Sequence, residues 1–182
     1  RLVDGEALAA ALTFPPGSAL DFLNESVTTG RGVTLQPFAK DARPAAVIVN
    51  GQGEGARIPL SGKAKHLTFL HAVNKQPYDL SMHGMQKEYK NATPGTYVLH
   101  YADGSKSEFP LNFRSHVCDW NDRFLPTNAE MGLFGTVDKL YHVNIPILTW
   151  TNPHPDKELK ALEIRPGNRK NLDLAVVAIS LD

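Results

Sequence analysis

The chain has 182 residues and a mass of 20.0 kDa, with 19 Lys and Arg against 19 Asp and Glu, a formal charge of zero. That balance excludes a general binder of the nucleic-acid backbone, which needs a basic excess, and a charged disordered segment. With 42% hydrophobic and 21% charged residues it has the make-up of a globular domain. A chain of this length buries roughly 70% of its unfolded surface, so it needs no staples. Its single cysteine, Cys118, allows no intrachain disulfide and no Cys-rich zinc site. No apolar run is long enough to span a membrane. The chain opens on Arg1, with no signal peptide, and is expected to be one module of something larger.

Residues 1–17 read as a peripheral N-terminal segment of one domain covering 1–182. Within them Gly5 to Leu12 is Ala-rich, follows Asp4 as a candidate cap, and predicts one short helix. After it, Gly (14) and Pro (13) punctuate short apolar runs, which is the pattern of many strands joined by turns. Ala45 to Val49 is a strand that stops at Asn50-Gly51. Gly51, Gly53 and Gly55 follow it, but no helix comes next, so they read as an inter-strand turn rather than a phosphate loop. Lys65 to Ala72 alternates, with Leu67 and Phe69 on one face and Thr68 and Leu70 on the other. Thr96 to Tyr101 puts Tyr97, Leu99 and Tyr101 on one face. Asp103-Gly104 then predicts a hairpin into a return strand carrying Phe109, Leu111 and Phe113. Ile145 to Trp150 and Leu159 to Ile164 are further strands. Leu174 to Ile179 is apolar at successive positions, as expected of a central strand covered on both faces.

Eight or so strands without a long helix predict an all-β fold, an antiparallel β-sandwich with long loops and at most short helices. Two long connections, Val73 to Pro94 and Asp119 to Asn144, are where function is expected.

No nucleophile elbow, Walker loop or zinc-protease motif is present. The seven histidines have no dedicated ligand spacing; His66 and His71, five apart on one strand, point to opposite faces. Asp119 with Asp122, or Asp156 with Glu158, are formal carboxylate pairs, but nothing in the sequence brings either to a catalytic separation. No catalytic residue is assigned, and the domain is not expected to be an enzyme. Trp120 and Trp150 read as core residues whose indole N–H is satisfied at a strand end. Loop residues are better candidates for a sugar platform. An aromatic face packs on pyranose C–H groups while planar polar side chains hold the hydroxyls. Tyr78, His83 and Tyr89 in the first long connection, and Arg123, Phe124 and Tyr141 around the second, supply those chemistries. Asn24 and Asn91 sit in N-glycosylation patterns.

Several segments together carry a resemblance. Lys65 to Ala72 resembles the Leu-x-Phe-Leu-His-Ala strand of β-sandwich accessory domains in bacterial glycoside hydrolases. Gly95 to Gly104 resembles their following strand and hairpin. Asp119-Trp120, the turn from Trp150 to Lys157, and the closing Leu174 to Leu181 strand are further landmarks. The whole, over about residues 18 to 182, is similar to galactose-binding-like jelly rolls, the fold class of many carbohydrate-binding modules. The resemblance implies a non-catalytic module in an extracellular or periplasmic protein. Its partners would be an oligosaccharide or polysaccharide and other domains of the same parent chain. Related folds often hold a structural calcium ion near the first strand, where Asp21 and Asn24 would be the oxygen ligands; no cofactor beyond that is implied, and the metal stays open. The alternatives are a sandwich that braces a catalytic neighbour and a small polysaccharide lyase or hydrolase. The zero net charge favours a ligand that is not strongly acidic, although Arg123, or Lys87 with Lys90 and Arg169, offers a local basic patch.

Overall fold

The computed structural model describes residues 2–3, 26–36, 38–40, 43–51, 53–75, 92–137, 141–169 and 171–182. These residues form an all-β, antiparallel sandwich without a helix. The larger sheet has seven strands. Its order is β1 (Leu2–Val3), β5 (Arg43–Val49), β13 (Leu172–Leu181), β7 (His66–Lys75), β11 (Tyr141–Thr151) and β10 (Glu130–Val137), and β4 (Phe38–Lys40) also pairs with β5. The smaller sheet runs β6 (Ala56–Pro59), β12 (Leu159–Pro166), β8 (Gly95–Tyr101) and β9 (Lys106–Pro110). A hairpin of β2 (Val27–Thr28) and β3 (Thr34–Leu35) stands apart.

Alternation decides what each strand buries. Leu67, Phe69 and Val73 of β7, Leu148 and Trp150 of β11, and Leu174 and Val176 of β13 face inward. They meet Tyr97, Leu99 and Tyr101 of β8 and Leu162 and Ile164 of β12. The Phe69 and Tyr97 rings stack at 4.1 Å across the two sheets. The opposite face of the larger sheet is also covered. There Leu70, Ala72, Ile145, Ile147, Ala175 and Val177 pack with Leu35 of the small hairpin and with Trp120. That second layer explains why β13 is apolar at successive positions. A bulge at Val177 shifts its phase, so Leu172, Leu174 and Val176 point inward before it while Ile179 and Leu181 pack inward after it.

Asp103-Gly104 makes the expected hairpin, with Gly104 at φ 85°. The glycine-rich segment after β5 is a corner that carries the chain from the larger sheet to the smaller one. Gly51 is required by packing, since a Cβ there would overlap the Arg169 carbonyl oxygen. The helix expected over Gly5 to Leu12 lies outside the described residues.

The connection expected from Asp119 to Asn144 is not one long loop. Glu130–Val137 forms strand β10, a hairpin partner of β11, and Tyr141 is the first residue of β11, opposite Val137. The segment hides this because two glycines break its alternation and a bulge lies between Glu130 and Leu133. A Cβ at Gly132 would collide with the Ile145 carbonyl oxygen, so this strand needs a residue that strand propensity disfavours.

A histidine–tyrosine pair is buried in the inner core. His71 is fully buried; its Nδ1 lies 2.6 Å from Tyr97 Oη and its Nε2 3.1 Å from the His116 carbonyl oxygen. A carbonyl only accepts, so Nε2 carries the proton and Nδ1 accepts from the Tyr97 hydroxyl. Burial pushes the His71 pKa down to about 4, and it pushes Tyr97 well up. An unfolded histidine titrates near ~6.5. Between those two values the unfolded chain binds a proton that the folded chain refuses, so stability falls as pH drops from about 6.5 toward about 4. His116, also depressed by burial, adds in the same direction. At about pH 5 the His71 contribution is a loss of about 2 kcal/mol relative to neutral pH. Urea unfolding of the double variant His71→Leu/Tyr97→Phe should therefore lose markedly less stability between about pH 7.5 and about pH 5 than the parent chain does. An unchanged pH slope would contradict the assignment.

Candidate functional site

The site begins where two strands of the larger sheet part. β7 and β11 pair from His66 with Thr151 to Leu70 with Ile147. Beyond that point the segment Cys118 to Trp120 takes the place of a strand between them. Val73 N–H donates to the Cys118 carbonyl at 2.9 Å, Trp120 N–H donates to the Val73 carbonyl at 2.9 Å, and Asn144 N–H of β11 donates to the Trp120 carbonyl at 2.7 Å. The side chains repeat the grip. The Trp120 indole N–H donates to Asn74 Oδ1 at 3.2 Å, and His71 Nε2 holds the His116 carbonyl. Trp120 is thus buried between β7 and the outer apolar layer, as a core residue with its N–H satisfied.

From this seam the chain turns outward through Asn121 to Leu125. The turn consumes its own carboxylates: Asp119 Oδ1 accepts from Asn121 N–H, and Asp122 Oδ2 accepts from Asp119 N–H. Asn144, 2% exposed, pins the turn from beneath, its Nδ2 donating to the carbonyls of Asp122 at 3.1 Å and Phe124 at 3.0 Å. Its Oδ1 is buried with no hydrogen-bond partner among the described residues. Leaving an acceptor unmet costs roughly 1–3 kcal/mol, and the sheet tolerates that in exchange for a shaped loop.

A second turn closes the other side. Asn112 to Val117 is a compact loop in which Arg114 has φ 68°, a left-handed backbone that costs an L-residue about 1 kcal/mol. It is locked by Arg114 N–H to the Val117 carbonyl at 2.7 Å and by Thr127 N–H to the Arg114 carbonyl at 3.1 Å. Asn128 continues the contact, donating from its backbone and its Nδ2 to Ser115. Between the two turns lies a pocket of about 200 Å³ lined by Arg114, Cys118, Asp122, Phe124, Leu125, Pro126 and Thr127. Phe124, on its wall, is 75% exposed, and Leu125 is 42% exposed.

Of the expected ligand residues, Phe124 lines this pocket and Arg123 is its exposed neighbour. Tyr141 starts the strand whose Asn144 supports the loop. Tyr78, His83 and Tyr89 lie outside the described residues, as do Asp21 and Asn24, expected as calcium ligands. Among the described residues no cluster of three or more His, Cys, Asp and Glu fits a metal ion. Sequence reasoning missed Arg114, Leu125, Pro126 and Thr127. Thirteen positions separate Arg114 from Thr127, and only the folded loop joins them. The apolar Phe124-Leu125-Pro126 run between Arg123 and Thr127 was the one readable signal.

The Trp150 to Lys157 landmark is architectural. Trp150 is buried and stacks on Phe109 at 5.3 Å. Buried Asn152 donates to the Ala64 carbonyl and accepts from Tyr101 Oη at 2.5 Å and from His154 N–H at 3.0 Å. The side chain that shapes this turn is therefore Asn152, while Asp156 is exposed.

Replacing Asn144 with Ala should free the Asp122 to Phe124 turn while the strands around it remain. Trypsin cleavage after Arg123 should accelerate on the order of tenfold in that variant, because opening of the loop then costs less. Equal cleavage rates in the two proteins would show that Asn144 does not hold the loop.

No family model matches the chain, and neither does any curated protein or solved structure.

Proposed function

We propose that this domain is a non-catalytic carbohydrate-binding module, a jelly-roll-like sandwich that docks a larger exported, polysaccharide-active protein onto a glycan. The observation that carries the reading is Phe124, a ring 75% exposed on the wall of a pocket that also offers Arg114, Asp122 and Thr127. An aromatic ring held out on a hydrogen-bonded loop offers a flat apolar face on which a ligand can stack. A pyranose face fits that ring, and the polar side chains suit its hydroxyls. A pocket this small gives modest affinity per site, which repeated modules in one parent chain raise by avidity. The proposed location is extracellular or periplasmic.

A second reading, docking against a neighbouring domain of the same parent chain, is favoured by a different feature. β10 ends the strand order of the larger sheet and exposes Met131 (63%) and Phe134 (58%). Such an edge suits a partner with an apolar surface.

Calorimetry against a panel of plant, algal and host oligosaccharides separates the two. Under the first reading at least one glycan binds, and Phe124→Ala weakens it roughly tenfold or more without lowering Tm. Under the second, no glycan binds, and Met131→Glu/Phe134→Glu detaches the domain from its neighbour in the full chain. Failure of every glycan would remove the first reading.

A further inference from the structure

We infer that the Phe124 pocket takes an acidic glycan, one bearing carboxylate or sulfate groups, with Arg114 as the residue that holds the acid. The inference rests on the carbohydrate-binding reading and names the ligand class of that same site. The loop carries two guanidiniums and two carboxylates, so it is neutral by count, like the whole chain. The two signs are not equivalent in space. Asp119 is buried, and both Asp119 and Asp122 accept backbone N–H groups inside the turn. Arg114 and Arg123 are exposed, and neither guanidinium has a hydrogen bond, ion pair or ring contact among the described residues. Arg165, in contrast, is engaged by Glu163 and Glu108. The pocket is therefore lined by one guanidinium without a partner among the described residues, Arg114, and by one half-buried carboxylate, Asp122, already tied to a backbone N–H, while Arg123 stands exposed beside it.

Arg114 adds a second argument. Its left-handed backbone is a conformation that glycine or asparagine adopts at little cost. An arginine kept there by the bonds to Val117 and Thr127 places a guanidinium at the pocket by a strained route. A planar guanidinium matches a carboxylate or sulfate with two parallel hydrogen bonds, which a hydroxyl cannot reproduce. Thr127, across the same pocket, offers a hydroxyl to a neighbouring sugar oxygen. With zero net charge there is no long-range attraction for a polyanion, so the preference arises at contact and weakens as salt rises.

The experiment titrates the domain with tetragalacturonate, with its fully methyl-esterified form, and with a sulfated carrageenan tetrasaccharide. Arg114→Asn and Arg114→Gly are the variants, since both accept left-handed backbone and should keep or raise Tm. The expected result is that an acidic probe binds at least about tenfold tighter than the methyl ester, and that either variant removes this difference. Carboxylate or sulfate is then named by whichever acidic probe binds tighter. If the methyl ester binds as tightly as the acids, the acid preference is wrong while carbohydrate binding stands. If an acidic probe binds but both variants keep its advantage, Arg114 is not the residue that holds it. If none of the three probes binds, and the neutral panel also fails, carbohydrate binding itself is overturned.

Discussion

The candidate site depends on one departure from regular pairing. After the Leu70–Ile147 pair, β7 and β11 separate, and Cys118 to Trp120 fills the seam with backbone bonds to Val73 on one side and Asn144 on the other. Without that insertion, the β7 and β11 backbones would leave buried donors and acceptors unpaired, at a cost no small domain tolerates many times. With it, a surface loop is rooted in the middle of a sheet. His71 joins the same segment to the inner core, because its ring links Tyr97 of the smaller sheet to the His116 carbonyl. Core and loop are consequently one hydrogen-bonded unit, and the Phe124 turn is built on the most buried strands of the molecule.

The two faces of the smaller sheet show what uncommitted charge means here. On its outer face Arg165 bonds Glu163 and Glu108, His100 bonds Glu163 at 2.6 Å, and Lys106 lies beside Glu108. Exposed pairs like these contribute little to stability, but they engage Arg165 on both sides. Near the hairpin, Lys157 does the same with Asp103 and Ser105. In the pocket loop, by contrast with Arg165, the carboxylates bond backbone N–H groups and Arg114 and Arg123 bond no carboxylate among the described residues. A chain of zero net charge thus carries two arginines on this loop that no carboxylate among the described residues engages, something no composition total reveals.

What the sequence shows clearly is what depends on near neighbours. Period-two alternation of Leu67 with Phe69 and of Tyr97, Leu99 and Tyr101 predicts the inner face, because side-chain direction is a property of the strand itself, although β7 runs on through Val73, which the sequence assigns to a connection. Asp103-Gly104 predicts its hairpin because the turn needs a left-handed residue, which Gly104 supplies. The doubly apolar β13 predicts a central strand with two covered faces, and it has them. Features made by distant residues are not readable in this way. β10 is masked by its glycines, and the reason for Gly132 is the Ile145 carbonyl across the pair. The histidines resemble a metal set only until their separate partners are known: Tyr97 for His71, Glu163 for His100, Asp182 at 3.4 Å for His66. Phe124 was legible as a loop aromatic, yet its pocket was not, because Arg114, Cys118 and Thr127 meet only through bonds between the two turns.

The proposed binding function rests on how the loop is mounted. The backbone that carries Phe124 and Arg114 is held by Asn144 and Thr127, so a ligand would have to order the exposed side chains but not the loop. The most direct test is native-state amide hydrogen exchange of the isolated domain, read at Val73, Trp120 and Asn144. If the inserted segment is a true part of the sheet, these three amides exchange as slowly as those between β7 and β13. If instead Trp120 and Asn144 exchange at the rate of exposed loop amides, the seam is open in solution and the mounted site does not exist.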